Sequence, residues 1–259
     1  MDNISIRCRQ ALHLLLILCV PGGIGLGLVP SPAHAQGGPP LETDDPGTPG
    51  DGRWEINLAA TLEHTAGGTL YEAPLGDANY GLGERIQLKL ELPLLVERGE
   101  NTGTGLGNPV MGIKWRFLDD SSSQLAISTY PQFEFSSPIL PLDDTGENGS
   151  ALLLPLELAR PWGSFGVNAE TGYRIVQRGG DEIIYGLALG YHATETLELL
   201  SECNGSAAQS RPGELVCQVG IRQAVGQHFT VLGALGRGVS GDEAERPRAK
   251  LYVGLQSRW

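Results

Sequence analysis

Leu251-Tyr252-Val253-Gly254-Leu255-Gln256-Ser257-Arg258-Trp259 closes the sequence, and its alternation decides the fold class. Leu251, Val253, Leu255 and Trp259 share one face of an extended strand, with Ser257 the one polar interruption. Lys250, Tyr252, Gln256 and Arg258 share the other. A strand that is apolar on one side, charged on the other and finished by an aromatic suits a wall with lipid outside and water inside. The apolar face then meets acyl chains, the polar face lines a lumen, and Trp259 anchors at the interface.

The same period of two recurs from Trp54 onward, and helical periodicity is nearly absent. Trp54, Ile56, Leu58, Ala60 and Leu62 alternate with Glu55, Asn57, Thr61 and Glu63. Ile86, Leu88, Leu90 and Leu92 alternate with Gln87, Lys89 and Glu91, and Ile113, Trp115 and Phe117 with Lys114 and Arg116. Phe165, Val167, Ala169 and Tyr173 oppose Asn168, Glu170 and Arg174. Charges at this density in mid-strand do not suit a two-sided core; they suit one face on water.

Short connections fall at Leu82-Gly83-Glu84, 119–123, Arg160-Pro161-Trp162, 193–195 and 224–227. Longer or loop-phase ones fall at 65–68, 96–106, 136–149, 177–180, 204–214 and 237–248. Turns on one side interleaved with loops on the other predict an all-β, up-and-down antiparallel transmembrane β-barrel of about 12 strands. The number drops to about ten if Pro74 and Gly76 prevent the second strand from forming. Trp54, Tyr80, Phe117, Trp162, Tyr191, Phe229 and Trp259 cluster at the short-turn ends, where an interfacial girdle belongs. Leu251, Val253, Leu255 and Trp259 also resemble the terminal signal read by the barrel-assembly machinery of Gram-negative bacteria.

Residues 1–35 read as a cleaved signal peptide: Arg7 and Arg9, an apolar stretch, then Ala33-His34-Ala35 before Gln36. Residues 36–52, rich in Pro, Gly and Asp, read as a flexible, solvated periplasmic lead-in, and 53–259 as the barrel. The chain carries 18 Lys+Arg against 30 Asp+Glu, a net charge of −12. Losing the leader makes it more acidic still, which argues against nucleic acid as a partner. Outer-membrane lipid, the assembly machinery and a small-molecule solute are the expected partners.

Lys89, Glu91, Lys114, Arg116, Glu134, Glu157 and Glu170 are the candidate lumen-lining residues. Cross-lumen ion pairs would seal a plugged barrel; in an open one the same charges would set a selecting field. At this strand number the expectation is a narrow or partly plugged lumen. Cys203 and Cys217 flank the segment 204–214 on one strand phase and form a disulfide candidate in an oxidising compartment.

No cofactor or metal site is expected. Asp143 to Asn148 is oxygen-rich, but it lacks the spacing of a calcium loop and reads as a solvated acidic turn. His64, His192 and His228 are the histidines after the leader, and no motif joins them to Ser136 or Ser137. An outer-membrane lipid-modifying enzyme and a non-transporting surface barrel therefore stand as alternatives to a channel.

One stretch resembles a known family. Leu41-Glu42-Thr43-Asp44-Asp45-Pro46-Gly47-Thr48-Pro49-Gly50 with Trp54-Glu55-Ile56-Asn57, Asp77-Ala78-Asn79-Tyr80-Gly81-Leu82, Gln87 to Pro93, Gly107, Gly112 to Phe117 and Tyr130-Pro131-Gln132 carry the likeness. It is to the bacterial outer-membrane barrels labelled as transporters of the meta-pathway of phenol degradation. The resemblance spans roughly Leu41 to Gly190 and implies passive uptake of small aromatic or apolar compounds across the outer membrane. The cysteine pair is outside that pattern.

Overall fold

Alternating residues can satisfy both faces of a sheet only if every backbone edge is also paired, and in lipid the one way to do so is closure. The computed structural model describes residues 37–99, 102–136, 149–178, 180–208 and 211–259. The expected leader, Gln36 and the acidic stretch 143–148 lie outside them.

The strand segments are β1 (Trp54–His64), β2 (Gly68–Leu82), β3 (Ile86–Gly99), β4 (Gly103–Leu106), β5 (Val110–Asp120), β6 (Leu125–Thr129) and β7 (Gln132–Glu134). They continue as β8 (Ala151–Trp162), β9 (Phe165–Val176), β10 (Glu182–His192), β11 (Leu197–Ala208), β12 (Arg211–Val225), β13 (Phe229–Ser240) and β14 (Ala249–Arg258). All neighbouring pairs are antiparallel, and β14 pairs β1 from Glu55↔Arg258 to His64↔Ala249, which closes the ring. Reciprocal backbone bonds between Trp54 and Trp259, 3.0 and 2.9 Å, extend that seam to Trp259.

The fourteen segments trace twelve barrel strands. β4 and β5 are two parts of one, parted at Asn108-Pro109, and β6 and β7 two parts of another, parted at Pro131. Proline offers no amide to a ladder. The pairing resumes around each break, with Ile113 N donating to Pro131 O and Phe135 N to Pro109 O. Pro74 is accommodated the same way: the registers of β2 with both β1 and β3 shift beside it, and the strand runs on.

Ile56, Leu58, Leu88, Leu90, Ile113, Leu187, Ile221, Val253 and Leu255 all face outward and are exposed. So large an apolar exterior has no place on a soluble protein, and lipid is the medium that removes it from water. The aromatic belt forms at the short-turn ends: Trp54 packs on Tyr80 at 4.9 Å, Phe165 on Tyr191 at 4.9 Å, and Trp259 on His228 and Phe229. Trp162, at 79%, is the most exposed of the large apolar side chains among the described residues.

Two readings of the connections change. The loop expected at 204–214 is mostly wall, since β11 reaches Ala208 and β12 starts at Arg211. Asn204, Gly205 and Ser206 read as turn formers by type, but strands on both sides satisfy their backbone. Likewise β3 runs on to Gly99. Cys203 and Cys217 are cross-strand partners joined by a disulfide on the outer face, within the wall rather than beneath a surface loop. A non-reduced digest should yield the joined Cys203 and Cys217 peptides, and alkylation without reductant should label neither. Since the surrounding ladder already holds this hairpin, Cys203→Ser with Cys217→Ser should leave the barrel folded.

Candidate functional site: the lumen and its plug

The inward phase of the strands collects Asn57, Asp77, Gln87, Lys114, Glu157, Asn168, Glu202, Gln218, Arg222 and Gln256, all buried. They are not buried by one another alone. Residues 37–52, expected to be a solvated lead-in, enter the lumen from the short-turn end, turn near its middle, and leave by the same end.

The turn is built by Gly38 N donating to Thr43 O at 2.8 Å and Leu41 N to Gly38 O at 3.0 Å. Leu41 packs against Ala188 on β10 and Leu200 on β11. The tip's amides, which have no partner within a tight turn, go to wall carboxylates. Glu202 accepts from Glu42 N at 3.0 Å and Thr43 N at 2.9 Å, and Glu170 accepts from Asp44 N at 3.0 Å.

Two cations clamp the two arms from opposite sides of the ring. Arg222 on β12 donates to the carbonyls of Gly37, Gly38 and Pro39 at 2.7–2.9 Å. Lys114 on β5 ion-pairs with Asp44 at 3.0 Å and donates to the Asp45 carbonyl. It also lies 3.5 Å from Glu157 and over the Tyr130 ring. Tyr130 is 0% exposed and takes a hydrogen bond from Gln87 at 3.0 Å. At the tip Lys250 bridges Glu42 and Glu63, both at 3.3 Å, and draws the Glu42 carboxyl below its usual pKa. The exit is fixed by Thr48 Oγ1 donating to Glu84 O at 2.9 Å and Gly52 N to Gly81 O at 3.0 Å.

Glycine permits two of these approaches. A Cβ on Gly81 would stand 1.8 Å from the Gly50 oxygen, and one on Gly186 would stand 2.2 Å from Thr43 Oγ1. Both wall positions are bare where the segment lies against them.

The expected lumen residues sort as follows. Lys89 and Glu91 pair at 2.8 Å, and Glu134 pairs with Arg174 at 2.8 Å. Glu157 joins Lys114 and the Ser128 hydroxyl, while Glu170 holds the plug. Arg116 is placed differently: it donates to Glu84 O at 2.7 Å and pairs with Asp119 at 3.3 Å, at the short-turn rim. Glu202, Arg222 and Asp77 were missed, and Lys250 was placed on the lumen face without being singled out. Each stands on the inward phase of its strand, which is the signal that could have found them.

The histidines have structural surroundings. His64 Nδ1 bonds the Thr69 hydroxyl, His228 bonds Arg258 O and stacks on Trp259, and His192 lies 3.9 Å from Glu198. Among the described residues no cluster of His, Cys, Asp and Glu has the geometry to hold a metal ion.

Above the tip, toward the longer connections, lies a cavity of about 660 Å³. The plug residues 38–44 form its floor, and Glu63, Glu72, Glu91, Glu134, Lys89 and Lys250 stand on its wall.

No family model matches the chain, and no curated protein does. Solved structures do. The COG4313 outer-membrane channel from Pseudomonas putida F1 superposes with a TM-score of 0.64 at 11% identity, over 86% of this chain and 100% of that one. The NanC porin gives 0.59 at 9% identity, over 78% and 98%. The KdgM porin, solved in complex with disordered oligogalacturonate, gives 0.56 at 9%, over 78% and 98%. At these identities the likeness establishes the fold, a closed antiparallel barrel of the outer-membrane kind.

Proposed function

We propose that the protein is an outer-membrane channel of a Gram-negative bacterium that lets small solutes cross passively through a lumen narrowed by its own residues 37–52. The observation that carries this reading is the polar, charged cavity inside a closed barrel whose outer face is apolar. A barrel serving only as a surface scaffold has no need of a charged cavity walled from lipid. Solved channel and porin structures of the same fold support the reading.

For cargo, the family resemblance at Leu41–Gly190 favours small aromatic or apolar compounds. Leu41, Leu75, Leu153 and Tyr252 on the cavity lining give such bodies apolar contact. The full chain reconstituted in vesicles should pass small solutes, seen as swelling or discrete conductance steps. Impermeable vesicles holding correctly folded protein would refute the channel.

Assembly is proposed to depend on Trp259, which both closes the β1–β14 seam and belongs to the aromatic belt. Trp259→Asp should leave export intact, block insertion by the assembly machinery, and cause the protein to accumulate in the periplasm or be degraded. Fractionation checks this; normal insertion would count against the proposed role.

A further inference from the structure

We propose that residues 37–45 are a reversible gate, an autoinhibitory ligand of the lumen that is released toward the short-turn side and returns. This rests on the channel reading above and deepens it, from a fixed constriction to one that opens.

The carrying observation is that the wall groups holding the segment have second partners in the wall itself. Lys114 holds Asp44 at 3.0 Å and has Glu157 at 3.5 Å. Arg222 holds the carbonyls of Gly37, Gly38 and Pro39 and has Glu198 at 3.2 Å. Lys250 holds Glu42 and has Glu63, both at 3.3 Å. Glu202 holds the amides of Glu42 and Thr43 and has the Gln218 side-chain amide at 2.6 Å. Stranding a buried charge is what makes a contact irreplaceable, and release of the segment strands none of these four. Glu170, which accepts from the Asp44 amide, is solvated by the water that enters.

The segment itself gives up little. It is held through main-chain amides and carbonyls and through the Glu42 and Asp44 carboxylates, and water replaces the partners of all of these. Its apolar hold is Leu41 against Ala188 and Leu200. The topology permits the movement. Arg222 stands near the end of β12, and Thr48 is tied to Glu84 between β2 and β3, so both arms pass through the same mouth. The loop can withdraw without parting a single strand pair. Two arrangements, each with its polar groups satisfied, make a two-state element.

The test uses the full chain with Cys203→Ser and Cys217→Ser, carrying Thr43→Cys at a position 1% exposed. The probe is a maleimide bearing a polymer too wide for the lumen. It should modify the cysteine once the outer membrane is permeabilised, and should not on intact cells, where it meets the loop side alone. Glu202→Gln keeps the size and weakens the acceptor. It should speed modification several-fold in protein that still migrates as a folded barrel in unheated detergent. In planar bilayers, the crosslinked form of Thr43→Cys with Gly186→Cys should hold one low conductance level. Reductant should restore switching to a higher level. A cysteine left unmodified in permeabilised membranes, or identical conductance in the crosslinked and reduced forms, overturns the gate and leaves the channel standing. Equal modification from both sides overturns release toward the short-turn end, and an unchanged rate in Glu202→Gln overturns that residue's part in it. Modification without any conductance refutes the channel while the release of the segment stands.

Discussion

Removing residues 37–47, so that Gln36 is followed directly by Thr48, should raise the single-channel conductance several-fold while the barrel still forms. The segment crosses between Lys114 on β5 and Arg222 on β12, which face each other across the ring, so it stands in the cross-section rather than along one wall. A barrel of about twelve strands lies between those filled by side chains and those left wide open, so a folded segment of this length is enough to narrow it. Its removal costs the barrel little, because every strand keeps its neighbours. Glu202, Glu170, Lys114 and Arg222 would then face water, which solvates them. Planar-bilayer recording of the two proteins side by side makes the measurement, and equal conductance would mean that the segment does not obstruct the path.

Lys114→Met should be the most destabilising single change in the lumen, at about 3–5 kcal/mol, the usual cost of stripping one partner from a buried ion pair. The lysine is 1% exposed and serves Asp44, the Asp45 carbonyl, Glu157 and the Tyr130 ring together. Its loss strands Glu157, which is 0% exposed and keeps only the Ser128 hydroxyl. The expected readouts are a lower denaturant midpoint and larger, noisier conductance, because one clamp on the plug is gone. Adding Glu157→Gln should recover much of the stability but not the quiet conductance. If that second change restored neither, the stranded charge would not be the cause.

A third contrast separates the two faces. Leu88→Arg or Leu90→Arg should cost about 2–4 kcal/mol near the middle of the membrane, whereas Lys89→Arg, on the inward phase and paired with Glu91, should be nearly silent. Equal costs in a lipid refolding titration would indicate apolar packing on both sides.

Leu88, Lys89 and Leu90 also show how much of the fold was legible. Strand type, face and approximate number follow from a period of two, because a one-residue slip would turn charge into lipid, a penalty large enough to be written into the sequence. Pro74, Asn108-Pro109 and Pro131 obscured the count, since a strand can lose one amide and resume once its neighbours take up the shift. The hairpin at Ala208 and Arg211 was misjudged because small polar residues mark turns only where no neighbouring strand claims their backbone.

The site was half legible. Lys89, Lys114, Glu134, Glu157 and Glu170 could be placed inside by phase, but nothing local says what they meet. Leu41-Glu42-Thr43 has no periodicity, and Pro and Gly on either side make it look solvated. Its order comes from partners far along the chain, Glu202 and Lys250, with Arg222 holding Gly37 to Pro39 just before it. One signal was present: more carboxylates and cations on inward faces than a lumen would solvate by itself, beside a segment rich in free carbonyls and amides.

The claim on which the account turns is that residues 37–52 lie inside the barrel, and a cysteine pair tests it most directly. A Cβ built at Gly186 lies 3.1 Å from that of Thr43, a few tenths of an ångström short of ordinary disulfide geometry. With Cys203→Ser and Cys217→Ser removing the native pair, the chain carrying Thr43→Cys and Gly186→Cys should form an intramolecular crosslink once inserted in the outer membrane. Mass spectrometry of a non-reduced digest should show the peptides around 43 and 186 joined. Two free, alkylatable thiols in fully assembled protein would contradict the account.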